Sequence, residues 1–346
     1  MNIKQVAKIA GVSTATVSRV VNGTARVNPS TEKDVRAAIE TAGYYPNSHA
    51  RTLGTGKSNM FGLIISDIEN PFFPELVKHF ERAAVEHGQE ILIANTDYRP
   101  DRMQTSVRRM LERKVDGVAI MTSEMSPELV QTIHRRGIPI VFLDTGTIGP
   151  MISNISIDYR GGIDVAIDHL TSLGHRRIAF VGGPASLASA RMRRDAFLAS
   201  LRKKKLKAPA EFMRTGNHRI DGGHDAMVKM LKLRTRPTAV LASNDLTAIG
   251  VIGAIHNDGL RVPEDISVVG FDDIEISSYI QPPLTTVRVS RAEIATRAFA
   301  SLFAASHRGN IKGVAFMVST ELVVRQSTTF IPKISNVTTT HVTQEL

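Results

Sequence analysis

The sequence predicts an α/β protein in two unequal parts: an N-terminal helix-turn-helix domain, then two doubly wound parallel-sheet lobes. Three observations predict this. Residues 3–42 carry apolar side chains at helical spacing, interrupted by turn signals. From Phe61 onward, short apolar runs alternate with amphipathic stretches, the texture of parallel strands covered by helices on both faces. The runs are numerous enough for two such sheets.

The N-terminal part comes first. Ile3, Val6, Ala7 and Ala10 fall at i, i+3, i+4 and i+7, one face of a helix. Gly11 can end that helix because it takes left-handed dihedrals cheaply. Ser13 can cap the next by accepting a backbone N–H. Val17, Val20 and Val21 then share a face that can pack on the first helix. Thr14, Ala15, Ser18, Arg19 and Asn22 are left pointing outward. Short polar side chains and one Arg on a helix docked after a tight turn describe a helix-turn-helix, whose second helix enters the DNA major groove. On spacing alone, a surface helical hairpin fits equally well. Asn28-Pro29-Ser30 is a strong helix start, with Asn as cap and Pro at the first helical position. Val35, Ala38, Ile39 and Ala42 form the apolar face of this third helix, and Gly43 ends it. A core of about 45 residues is marginal alone, because so short a chain buries only a modest share of its surface.

Composition bounds the rest. At 346 residues the chain holds two or three domains, and a 42% apolar fraction supports a large core. Cysteine is absent, which excludes disulfides, zinc–cysteine sites and thiol nucleophiles. The net charge of +10 favours an anionic partner without choosing among DNA, RNA and membrane. Lys4 and Lys8 interrupt the first helix, so it does not read as a signal peptide. No stretch approaches the roughly 20 apolar residues of a membrane span. The expectation is a cytoplasmic protein with no membrane partner.

In the α/β part, strands are expected at 61–65, 91–94, 118–121, 138–143, 178–181, 239–242 and 266–269. Helical patterns lie between them, for instance at 73–87, 127–136, 161–173 and 246–258. No strand-to-helix turn carries Gly-x-Gly-x-x-Gly, so a dinucleotide fold lacks its fingerprint. Gly54-Thr55-Gly56-Lys57-Ser58 resembles a phosphate loop only briefly, since the pattern needs glycine where Arg51 stands. The 11 histidines include no His-x-x-x-His or His-Glu-x-x-His set, and no Gly-x-Ser-x-Gly appears. No metal, cofactor or catalytic residue is therefore expected. The basic run 202–207 reads as a solvated helix end rather than a second DNA contact.

The run Val12-Ser13-Thr14-Ala15-Thr16-Val17-Ser18-Arg19-Val20-Val21-Asn22 resembles the recognition helix of the lactose-repressor (LacI/GalR) family of bacterial transcription regulators. The resemblance continues to about Arg325, through Val115–Val118, Leu173–Ile178 and Ile266–Asp273. It implies a DNA-facing set of Thr14, Ala15, Thr16, Ser18, Arg19 and Asn22. It also implies that Pro46-Asn47-Ser48-His49-Ala50-Arg51-Thr52-Leu53 is a hinge helix that folds on operator DNA. In that reading Asn47 contacts DNA and Leu53 wedges into the minor groove; otherwise the segment is a polar linker. The two lobes resemble a periplasmic sugar-binding protein, with three crossovers and a ligand in the cleft. One lobe is expected at 60–158 plus 288–315, the other at 159–287 plus 316–328. The domains are then 1–45 (helix-turn-helix), 46–59 (hinge and linker), 60–328 (effector binding and dimerisation) and 329–346 (a disordered tail).

Ligands in open α/β sheets sit beyond the carboxyl ends of strands. Ser66, Phe72, Asp144, Asp158, Arg193, Asn244 and Asp272 lie at or just past such ends. In the resembling family these positions line the effector cleft, with His218 as a second stacking position. Phe72 offers an apolar sugar face a ring, Asp144, Asn244 and Asp272 meet hydroxyls, and Arg193 supplies a planar fork. Singly, each polar residue at a strand end is more often a helix cap. The family resemblance implies a non-enzymatic, homodimeric repressor of carbohydrate-use genes, binding double-stranded operator DNA and a sugar or sugar-acid effector. The tail lacks the leucine heptads through which some family members tetramerise, which favours the dimer. A sugar-binding receptor without DNA-dependent regulation, and a purine-responsive regulator, are the alternatives. An enzyme on this α/β fold would need a nucleophile, metal set or phosphate loop.

Overall fold

A computed structural model describes residues 2–23, 26–44, 57–122, 125–309 and 311–331. Its N-terminal part is three helices, α1 (Ile3–Ile9), α2 (Thr14–Asn22) and α3 (Pro29–Ala42). Each start is capped as its sequence requires. Asn2 and Gln5 form a reciprocal capping box, the Ser13 side chain accepts from Thr16 N, and Asn28 accepts from Ser30 N ahead of Pro29. Gly11, with φ +63°, makes the turn between α1 and α2. Val6, Ala7, Val17, Val20, Val35, Ala38 and Ala42 close a separate small core.

The body holds two six-stranded sheets. The first contains β1 (Met60–Ile65), β2 (Glu90–Asn95), β3 (Gly117–Met121), β4 (Ile140–Leu143), β5 (Ile152–Ile157) and β11 (Ala315–Val318), in the order β11-β5-β4-β3-β1-β2. The second contains β6 (Ile178–Gly182), β7 (Met213–Thr215), β8 (Ala239–Ala242), β9 (Ser267–Asp272), β10 (Thr285–Val289) and β12 (Thr320–Val323), in the order β12-β10-β9-β8-β6-β7. All pairings are parallel except β10 with β12. Central strands such as β3, β6 and β9 are buried along their whole length, as helices on both faces demand.

Eight further helices cover the sheets: α4 (Phe72–Glu86), α5 (Pro100–Glu112), α6 (Pro127–His134), α7 (Tyr159–Ser172), α8 (Ala188–Lys203), α9 (Ile220–Leu231), α10 (Asp245–Asn257) and α11 (Arg291–Arg308). On the first lobe α11 packs against α4, with the Phe299 ring edge-on to Phe61 and Phe80. The main hydrophobic core runs unbroken from Phe61 in the first lobe through Ile157 and Tyr159 to Phe271 in the second.

The chain crosses between lobes after β5, after β10 and after β11. All of β10 lies in the second sheet and all of β11 in the first. The latter two crossings therefore fall a few residues later than expected. The reason is that Val287, Val289 and Val318 are all buried, so apolar pattern continues through both crossings and marks no break. The tail expectation is corrected for 329–331. Thr329 N donates to Ser267 Oγ, its carbonyl hydrogen-bonds His175 Nε2, and Ile331 N donates to the Leu173 carbonyl. Residues 332–346 lie outside the described set. The basic run at the end of α8 is largely exposed, with Lys203 and Lys204 paired to Asp164 and Asp168 of α7.

Candidate functional site

The carboxyl ends of both sheets face a cleft of about 580 Å3, its open mouth included. Of the eight side chains expected there, Ser66, Phe72, Asp144, Arg193, His218, Asn244 and Asp272 line it. Asp158 does not. It is the N-cap of α7, its Oδ1 accepting from Gly161 N at 2.8 Å, which is the commoner use of a carboxylate at that position.

Arg193 is the centre of the arrangement. It stands on α8 and its guanidinium lies between the rings of Tyr159 and Phe271, 4.7 and 4.8 Å from their centroids. One Nη donates to Asp272 Oδ1 at 3.2 Å, a single long contact rather than a fork. Its Nε is buried without a hydrogen-bond partner. Burial pushes the Asp272 carboxyl up to about 6, against the opposing pull of Arg193 and Arg291. Above that pH the two form a buried ion pair.

His218 is the second unusual group. It follows β7 with φ +63°, and its ring rests on Gly183, where a Cβ would meet Nε2 at 1.9 Å. Burial and the nearby Arg193 charge push it down to about 3, so it is neutral at physiological pH. Nδ1 lies 3.3 Å from Ser243 Oγ, and Nε2 is buried without a partner. Two orphaned polar atoms thus line one cleft. Such atoms are costly and rare in folded proteins, and a bound polar molecule would satisfy them.

The remaining polar side chains are partly committed. Asp144 accepts from Ile157 N at 2.8 Å and from Tyr159 Oη at 2.6 Å, and burial still holds its carboxyl above the usual carboxylate range. Asn244 caps α10, accepting from Thr247 N and Oγ1, and donates one N–H to the His218 carbonyl. Its second N–H is its remaining donor.

Asn70 and Phe73, in the run just beyond β1, and Ser189, in the run that leads to Arg193, also line the cleft, as do Tyr98, Thr122 and Tyr159, which were not anticipated. The strand-end rule reaches some of them: Thr122 directly follows β3 and Tyr98 follows β2. Tyr159 is one residue beyond Asp158, and only the cap geometry shows that the ring, not the carboxylate, faces the cleft. Among the described residues no cluster of three or more His, Asp or Glu is arranged to hold a metal.

On the recognition helix α2, Thr14, Ala15 and Arg19 are exposed. Thr16, Ser18 and Asn22 are half-buried. Thr16 Oγ1 hydrogen-bonds the Ser13 cap, and Asn22 Nδ2 donates to Ser18 Oγ. Asn47 and Leu53 lie outside the described residues.

A helix-turn-helix domain joined to a two-lobed cleft with unsatisfied polar groups defines a ligand-responsive, DNA-binding transcription regulator. Two family models match, "Bacterial regulatory proteins, lacI family" over residues 2–47 and "Periplasmic binding protein-like domain" over residues 167–328. The HTH-type transcriptional repressor PurR of Mannheimia succiniciproducens is 33% identical, over 94% of this chain and 98% of its own. The ribose operon repressor of Escherichia coli is 35% identical, over 84% of this chain and 89% of its own. Among solved structures, the Lac repressor dimer bound to operator and the anti-inducer ONPF aligns with a TM-score of 0.85 and 30% identity, over 95% of this chain and 99% of that one. A LacI family regulator from Enterococcus faecium with bound ribose aligns at 0.71 and 25%, over 79% of this chain and 100% of that one. The chain belongs to the lacI family of bacterial transcription regulators.

Proposed function

We propose that this regulator is a homodimeric, cytoplasmic repressor of carbohydrate-use genes whose operator affinity is changed by a sugar or sugar acid in the cleft. The observation that carries the effector assignment is the pair of buried, unpartnered groups Arg193 Nε and His218 Nε2 beside the Asp272 carboxylate. Arg193 Nε is a donor, Asp272 is an acceptor above its pKa, and the remaining Asn244 N–H is a donor. A polyol supplies hydroxyls that serve both kinds, and Phe72 gives its apolar face a ring. Ser66, Phe72, Asp144, Arg193, His218, Asn244 and Asp272 are the effector set. Asp144 acts mainly by fixing Tyr159, which in turn holds Arg193.

Thr14, Ala15 and Arg19 form the DNA-reading surface, with Thr16, Ser18 and Asn22 supporting it and Asn47 and Leu53 contributing from the hinge. Homodimerisation is supported by the dimeric operator complex of the Lac repressor, and the sugar reading by the ribose-bound relative. The relatives' names describe repressors, which supports a chain without enzymatic turnover. They also support a cytoplasmic location, and no helix among the described residues is long and apolar enough to cross a membrane.

The PurR relative and the added rings of Phe73, Tyr98 and Tyr159 keep a purine as the second reading. Calorimetry with sugars, sugar acids and purines decides between them. The expected result is saturable heat with a pentose, hexose or sugar acid and none with purines. Tight purine binding with no sugar response would overturn the carbohydrate assignment.

A further inference from the structure

The crossovers join the lobes at the β5/β11 edge of the first sheet and the β10/β12 edge of the second. The far edges carry β2 and β1 in the first sheet and β7 in the second. There the cleft has no covalent connection. Arg219, just past β7 at the N-cap of α9, reaches across this open side. One Nη donates to Glu69 Oε2 at 2.6 Å, and the other to Asp67 Oδ2 at 2.9 Å, with Asp97 Oδ1 at 3.6 Å. Asp67 and Glu69 follow β1, and Asp97 follows β2.

The two sides are shaped in advance. Asn217 Oδ1 accepts from Arg219 N at 3.0 Å, fixing the loop that presents the cation. Asp67 Oδ1 accepts from Glu69 N at 3.0 Å, fixing the loop that presents two of the acceptors. The Asp67 side chain is only 5% exposed, although Arg219 is 40% exposed. Separating the lobes breaks all three contacts at once, and in the closed form Asp67 meets the guanidinium where little water competes, which strengthens the attraction. Near the crossovers a second arginine, Arg291, ties Glu75 of the first lobe to the Val289 and Asp273 carbonyls of the second. One bridge therefore sits beside the crossovers and the other at the opposite, unconnected edge of the sheets. His218, which lines the cleft, is the residue immediately before Arg219.

We propose that Arg219 with Asp67, Glu69 and Asp97 is a charge latch that holds the two lobes closed without any effector. The latch sets how often the cleft opens, so it governs effector entry and release from outside the binding surface. The proposal rests on the cleft being the effector site only in naming what the latch gates.

The chain has no cysteine, so two introduced ones can be labelled cleanly. Q104C on α5 and D225C on α9 place spin labels on exposed positions of the two lobes near the open edge. Pulsed electron spin resonance on the effector-free full chain, diluted with unlabelled protein so that only pairs within one chain are read, reports lobe separation. In the Arg219 background at low salt, one short distance should dominate. R219A and R219E should raise the long-distance fraction about tenfold, a bias of about 1.4 kcal/mol. R219K, which keeps the charge but not the fork, should fall between. D67N should open the lobes like R219A, and serves if that variant does not fold. Thermal unfolding of each variant checks that it is folded. Superimposable distributions for wild type, R219A and D67N would overturn the latch, as would a long distance dominating the wild type at low salt. No effector is present, so either outcome leaves the ligand assignment to be judged by calorimetry alone.

Discussion

Arg193 meets two demands that a shorter or neutral side chain cannot. It fills the gap between the Tyr159 and Phe271 rings, and it keeps the buried Asp272 carboxylate company. Arg193→Ala should weaken effector binding by at least about 1 kcal/mol and by several at most, because a bound acceptor loses a charged donor. It should also destabilise the fold by about 3–5 kcal/mol, the cost of leaving a buried charge unpaired. Adding D272N should recover part of that stability, and denaturant titration of the two variants checks it. Equal stability of the single and double variants would show that the carboxylate left behind is not what destabilises Arg193→Ala. Asp272 should also make effector binding depend on pH. Its carboxyl, raised to about 6 in the free protein, accepts an effector hydroxyl more strongly once ionised. Affinity should therefore be constant above about pH 7 and fall below pH 6, by up to tenfold per unit. The same shift has the opposite sign for stability. The proton that the folded state holds more tightly than the unfolded chain contributes below about pH 4, and that contribution is lost as pH rises through 6. A flat affinity profile, or one that persists in D272N, would assign the dependence to another group. On the DNA side, Arg19 is the one long side chain among the exposed residues Thr14, Ala15 and Arg19. Arg19→Ala should cost about 1–3 kcal/mol per half-site if it reads a guanine through O6 and N7. Equal losses on operator and random DNA would reduce it to a phosphate contact.

Helices α9 and α10 show what patterning conveys and what it hides. They approach so closely that glycines replace side chains at the contact. A Cβ on Gly250 would lie 1.9 Å from the Ile220 carbonyl oxygen, and one on Gly223 would lie 2.2 Å from that of Thr247. Gly250→Ala should push α9 away and destabilise the second lobe by about 1–3 kcal/mol, the usual range for overpacking. Gly253, one turn further along the same helix, faces open space. Gly253→Ala should instead stabilise by about 0.5–1 kcal/mol through helix propensity. Thermal unfolding of the two variants tests this, and equal effects would show that the close approach is unimportant. Gly222 and Gly223 make α9 hard to read from sequence: a glycine pair reads as a breaker unless its packing partner is known. The buried strands were legible, since continuous apolar runs between turn signals fit little else in an α/β chain. The three N-terminal helices were legible from their caps, Asn2 apart. Site residues were legible to the extent that chain topology places them. Strand ends pointed to Ser66, Asp144, Asn244 and Asp272, but caps and ligand contacts draw on the same residue types. Asn244 lines the cleft while capping α10, whereas Asp158 only caps α7. Sequence spacing cannot separate these cases, because the difference is the direction of one side chain at the start of a helix.

At the scale of the whole molecule, two binding events are joined through the lobes. An effector can shift operator affinity only by preferring one lobe arrangement, and the operator then alters effector affinity by the same factor. The DNA-binding residues and the cleft should therefore be separable by mutation while remaining coupled in the intact protein. Leu53 gives the cleanest separation. Its segment resembles the family's hinge, where an apolar tip on a polar stretch enters the minor groove at the operator centre. Inserting an apolar side chain unstacks a base step at a cost of about a few kcal/mol, offset by the contacts that the bend allows. Leu53→Ala should accordingly lower both operator affinity and operator bending. Effector affinity measured without DNA should not change, because the cleft is lined by residues from Ser66 to Asp272. Arg193→Ala should show the reverse, with weak effector binding and unaltered operator affinity in the absence of effector. Fluorescence energy transfer across a labelled operator reads bending, and calorimetry reads the cleft. If Leu53→Ala bends the operator as far as the wild type does, Leu53 is not a wedge, and the hinge segment acts only as a tether between the recognition helix and the lobes.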